Sequence, residues 1–127
     1  MKKAAALVVC AAFVFGVLPA YGSDTANAYI TEYIALHKSV IKTFQDFTGE
    51  FKRVKGQKAL LALNDKVQAF AVEFSDKSNA LEEKYAGVDP ETADANLILE
   101  FERVSEELGI AASEMVEAFM DASNRNS

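Results

Sequence analysis

The chain has 127 residues, half of them hydrophobic, with 13 basic and 19 acidic residues and a formal net charge of −6. An acidic balance repels phosphate backbones and argues against nucleic-acid binding. With one cysteine and one histidine there is no ligand set for a zinc site, no disulfide framework and no motif for covalent haem.

Met1-Lys2-Lys3 is a short basic head, followed by the apolar run Ala4 to Leu18 and then Pro19. A membrane-spanning helix needs roughly 20 apolar residues, so this run is too short to span. Ala20-Tyr21-Gly22 places small residues where a signal peptidase reads. Residues 1–22 are therefore expected to be a cleaved secretory signal peptide. A retained N-terminal anchor is the alternative. Cys10 lies inside the apolar run and leaves with it, so the mature chain, 23–127, has no cysteine and must be stabilised by packing alone. The expected location is periplasmic or extracellular. Without Lys2 and Lys3 the chain holds 11 basic and 19 acidic residues.

From Ile30 the apolar residues Tyr33, His37, Val40, Phe44, Phe47, Phe51 and Val54 follow steps of three and four. That rhythm predicts an amphipathic helix over about 24–55. Lys52, Arg53 and Lys55 fall in its last turn, where cations complement the helix dipole, and Gly56 is placed as a left-handed cap. Gly49 is the rival stop. A second segment, about 57–86, carries Leu60, Leu63, Val67, Phe70, Phe74, Leu81 and Tyr85 on one face, with Lys77 in the seam and Gly87 as the stop. Asp89-Pro90-Glu91 reads as an N-cap, a first-turn proline and a dipole-matched acid. It opens a third helix over about 90–124, with a seam of Leu97, Phe101, Val104, Leu108, Ala111, Met115, Ala118 and Ala122. The tail from Ser123 is expected to fray. Each helix would be about 50 Å long. Short connections force antiparallel neighbours. The predicted fold is all-α: a single antiparallel up-down-up three-helix bundle with coiled-coil-like crossings.

The chemistry is thin. His37 is the one histidine and lies on an apolar seam. It is a packing residue in the plain reading and a ligand, opposite Met115 or Met120, in the sharper one. Asp89 to Glu100 has the length of a calcium loop, but Pro90 is second in it, Ala93 occupies a ligand position and Asp94 replaces the turn glycine. Glu102, Glu106, Glu107, Glu114, Glu117 and Asp121 lie off the seam of the third helix and read as a solvated face. No catalytic residues, cofactor or metal are expected, and the chain is not expected to be an enzyme. Two surfaces stand out. Lys52, Arg53, Lys55 and Lys58 form a basic tip, which helix capping and solubility explain and which also suits weak contact with anionic lipid or an acidic partner. Leu99, Ile110, Val116 and Met120 are apolar residues outside the third seam and form a candidate partner-binding strip, with Val72 off-seam on the second helix. The expected function is protein–protein contact by a non-catalytic exported bundle, in a chaperone-like, envelope-structural or surface-interaction role, with a second copy or another protein as partner. The alternative is a bundle that holds an apolar small molecule or non-covalent haem through His37.

Overall fold

The three-four apolar rhythm becomes three long helices: α1 over Leu18–Arg53, α2 over Gln57–Lys84 and α3 over Ala95–Arg125. A single 3-10 turn, Pro90–Thr92, lies between α2 and α3. The computed structural model describes residues 18–127, with side chains from Asp24 onward. Among the described residues there is no strand, and the all-α architecture is compatible with a three-helix bundle. The expected signal segment lies outside the described residues except for Leu18–Gly22, which begin α1.

α1 runs straight through Gly49, because Phe47 and Phe51 on either side of it are both buried. Its buried Thr48 hydroxyl donates to the Phe44 carbonyl one turn back, at 2.9 Å, which satisfies the hydroxyl without a tertiary partner. Gly56 follows the helix at φ +91° and Gly87 follows α2 at φ +85°. A left-handed backbone is costly for any residue with a Cβ, so glycine suits both stops.

The chain divides into two compact units. The first holds residues through Leu36 together with Lys77–Arg103. Its buried apolar residues are Ala26, Ile30, Ile34 and Ala93. Beside them is an aromatic group. Tyr29 stacks on Tyr85 with ring centroids 4.9 Å apart and lies 5.5 Å from Tyr33, which meets Phe101 edge-on at 5.8 Å.

The start of α3 differs from the expected one. Asp89 does cap a turn, since its carboxylate accepts from the Glu91 backbone N–H at 2.9 Å. That turn ends at Ala93, which is extended, and Ala93 is buried. Asp94 then starts the helix anew, with its carbonyl accepting from the N–H groups of Leu97 and Ile98. A reciprocal pair holds it there: the Asp94 N–H donates to Asn27 Oδ1 at 2.8 Å, and Asn27 Nδ2 donates to Asp94 Oδ2 at 3.1 Å. A side chain on α1 thus overrides the local proline signal.

The second unit holds His37–Asp76 and Val104–Ser127. Its core joins Phe47, Phe51, Leu60, Leu63, Met115, Ala118 and Ala122, and partly buried Phe44, Phe70 and Phe119 pack against them. Phe44 and Phe47 each meet Phe70 edge-on, and Phe51 meets Phe119 edge-on at 5.5 Å. The offset, perpendicular contacts are those that ring quadrupoles favour. α2 is the least buried helix, with only Leu60 and Leu63 fully enclosed.

The tail does not fray as expected. α3 continues to Arg125, whose Nη2 donates to the carbonyls of Phe51 at 2.9 Å and Val54 at 3.0 Å. Asn126 Oδ1 accepts from the Gly56 N–H at 2.7 Å, while its Nδ2 donates to the Ala122 carbonyl at 2.8 Å. The last carbonyls of a helix have no partner within it. Here the end of α3 supplies partners for the end of α1.

Candidate functional site

In the second unit α3 buries Val104, Ala111, Met115, Ala118 and Ala122 along one side. The 100° step of a helix then fixes what faces away. Ile110 is 54% exposed, Val116 52% and Met120 58%. Ala112, Ser113, Val116, Glu117 and Met120 line an open groove of about 420 Å³. Two of the lining residues, Ala112 and Ser113, are small, Glu117 adds a carboxylate to the lining, and Glu106 is exposed about two turns before Ser113 on the same helix. Leu99, in the first unit, is 63% exposed. The helical phase read from the sequence therefore puts these side chains in water, where an apolar residue gains nothing unless something covers it.

Lys52, Arg53, Lys55 and Lys58 are all exposed at the connection from α1 to α2, also in the second unit. The sequence argument assigns these cations to the end of α1. Lys52 and Arg53 do fall in the last turn of α1, while the carbonyls of Phe51 and Val54 accept from Arg125.

His37 is buried and meets Phe74 edge-on, with centroids 5.9 Å apart. It occupies the position in the helix seam that the apolar rhythm assigns to it. Burial penalises the imidazolium and pushes its pKa below the ordinary histidine value. The unfolded chain then binds the proton more readily than the folded one, so stability is complete above about pH 6.5 and falls as the pH drops through the lowered value. The melting midpoint should decline between pH 7 and pH 5.5, before ordinary carboxylates titrate, and His37→Gln should flatten that slope. A wild-type midpoint that is constant over this range would contradict the burial argument.

The first unit holds a cluster that the sequence reading missed. The Tyr85 hydroxyl donates to Glu32, and Lys84 Nζ donates to both Glu32 carboxylate oxygens at 3.0 Å. Lys84 also lies over the Tyr85 ring, 5.3 Å from its centroid. These bonds lower the pKa of Glu32, first through the Tyr85 hydroxyl and then through Lys84. The same contact with Glu32 raises the pKa values of Tyr85 and Lys84. Glu32 becomes a weaker base and Tyr85 a weaker acid, the reverse of what proton transfer near neutral pH requires. The cluster is a polar strap between α1 and the end of α2. Glu32, Ala35, Leu36, Lys77, Ala80, Leu81 and Lys84 line a shallow groove of about 380 Å³ next to it. Glu32 reads as one more residue on a polar face in the sequence, and its partners lie more than fifty positions away, where local spacing carries no signal.

Among the described residues no group of three or more histidine, cysteine, aspartate or glutamate side chains is placed to hold a metal ion. No described helix is long and apolar enough to cross a membrane. In comparisons with known proteins, no family model, curated protein or solved structure matches the chain.

Proposed function

We propose that this protein is an exported, non-catalytic antiparallel three-helix bundle that works by binding another protein along the outward face of α3. The exposure of Val116 and Met120 in one groove, with Ile110 also exposed further back on α3, is the observation that carries the reading. Isolated exposed apolar side chains are ordinary. Val116 and Met120 on adjoining turns, beside the small side chains of Ala112 and Ser113 that let another backbone approach closely, form the centre of an interface, and Ile110 extends the exposed apolar surface of α3. Glu106 and Glu117 beside the strip favour an amphipathic helix with a basic rim as the partner, since opposite potentials steer and orient association. The basic head, short apolar run and small residues of positions 1–22 support export to the periplasm or the extracellular space. An envelope-structural, chaperone-like or surface-interaction role all use such a contact.

The test compares wild type with the double variant Ile110→Asp, Met120→Asp by multi-angle light scattering and by pull-down from the native host. Both positions are already in water, so the helical circular dichroism and melting midpoint should stay close to wild type. Association should be lost. If the double variant unfolds, the strip belongs to the core. If association is unchanged, the strip is ordinary surface and the proposal fails.

A further inference from the structure

We propose that the basic tip of the second unit, Lys52, Arg53, Lys55 and Lys58, is a docking surface for an anionic lipid membrane. The plain account of these charges is that they complete the end of α1. Lys52 and Arg53 do lie in the last turn of α1 and suit its dipole, but Lys58 lies in the first turn of α2, where the dipole disfavours a cation, and the Phe51 and Val54 carbonyls are bound by Arg125. Among the described residues none of the four tip cations makes an ion pair or a side-chain hydrogen bond. From Lys52 to Ala59 there is no acidic residue, and every position but Val54 is exposed. Leu61, one turn beyond Lys58, is 56% exposed and adds an apolar side chain next to the charges.

This arrangement fits a lipid surface better than an acidic protein. Protein interfaces draw their affinity from anchors packed into pockets, and the two grooves described above lie elsewhere on the chain. Anionic headgroups need no pocket, because each lysine or arginine near the surface contributes independently and nearly additively. The chain is acidic overall, with a net charge of −6, so an anionic surface is repelled by the chain in general and attracted by this local group of cations. Docking at the tip leaves the α3 strip free and does not depend on it.

The experiment measures co-sedimentation of the full chain with vesicles of phosphatidylcholine alone and of phosphatidylcholine with 30% phosphatidylserine. The reading is the change in the difference between the two on altering the tip, because the N-terminal segment, with its apolar run and Lys2 and Lys3, is the same in every variant. Wild type should partition more strongly onto the anionic vesicles, and 1 M salt, which shortens the Debye length to about 3 Å, should remove the difference. Lys52→Gln, Lys55→Gln and Lys58→Gln together should weaken the anionic preference about a hundredfold, at roughly fivefold per charge. Asn126→Ala, which disturbs the cap without changing charge, should leave the preference intact. Circular dichroism shows whether each variant is folded. Equal binding of wild type to both vesicle types overturns the proposal, as does a triple variant that is folded and keeps the preference. If the triple variant instead loses self-association while vesicle binding is unchanged, the tip meets the acidic α3 of a second copy and the membrane assignment is wrong.

Discussion

Replacing Phe51 by alanine should cost about 3–5 kcal/mol of folding free energy, the range for large-to-small changes at enclosed aromatic positions. Phe51 is 1% exposed and packs edge-on against Phe119. Its ring also belongs to the cluster that joins all three helices of the second unit. Alanine leaves a void bounded by Leu, Met and Phe side chains on separate helices, which cannot all close in at once. Domains of this size are stable by only about 5–15 kcal/mol, so the loss takes a large share of the total. Lys52→Ala, one position along and fully in water, should change stability by no more than about 0.5 kcal/mol. Urea unfolding followed by circular dichroism separates the two. Phe44 is only half-buried, so its replacement by alanine should cost less than that of Phe51. Equal costs at Phe51 and Lys52 would mean that the helical phase is wrong.

The second large effect is at the far end of α3. Arg125→Ala together with Asn126→Ala should cost about 2–3 kcal/mol. The double change uncovers the Phe51 and Val54 carbonyls and the Gly56 N–H, and a net hydrogen bond is worth about 0.5–1.5 kcal/mol, more where one partner is charged. Arg125 is exposed, which keeps the figure at the low end of what a charged donor can give. Arg125→Lys should restore only part of the loss, because a strongly hydrated ammonium on a flexible stem is less pre-organised than the planar guanidinium whose Nη2 serves both carbonyls. Hydrogen exchange should show faster opening at Val54 and Gly56 in the double variant. A melting midpoint within a degree of wild type would show that these bonds are fully replaced by water.

The apolar rhythm made much of this legible. It placed Ile30, Val40, Phe47 and Phe51 of α1 inside, and Val104, Ala111, Met115 and Ala118 of α3 inside, because one face of an amphipathic helix must leave water and the step angle decides which. It also placed Ile110, Val116 and Met120 outside. Gly56 and Gly87 announced both stops, since only glycine is comfortable at their φ values. The reading erred at Lys77, assigned to the α2 seam but exposed, because α2 buries only a narrow stripe and its far turns need no apolar residue there. It also erred at the start of α3 and at the tail. In both places a polar side chain far away in the sequence, Asn27 for Asp94 and Arg125 for Phe51, decides the geometry. The Glu32, Lys84 and Tyr85 strap was invisible for the same reason. Apolar burial repeats along a helix and can be counted, whereas a single polar pair has no period.

The cap on α1 also sets an order of events during synthesis. Arg125 and Asn126 stand 70 to 74 residues downstream of the groups they satisfy. At about 5–20 residues per second, the ribosome needs on the order of 3–14 s to make the intervening chain. Throughout that interval α1 ends in open carbonyls, and the Phe51 ring has no Phe119 to meet. The core of the second unit takes Met115, Ala118 and Ala122 from α3, so it can close only after that helix has been made.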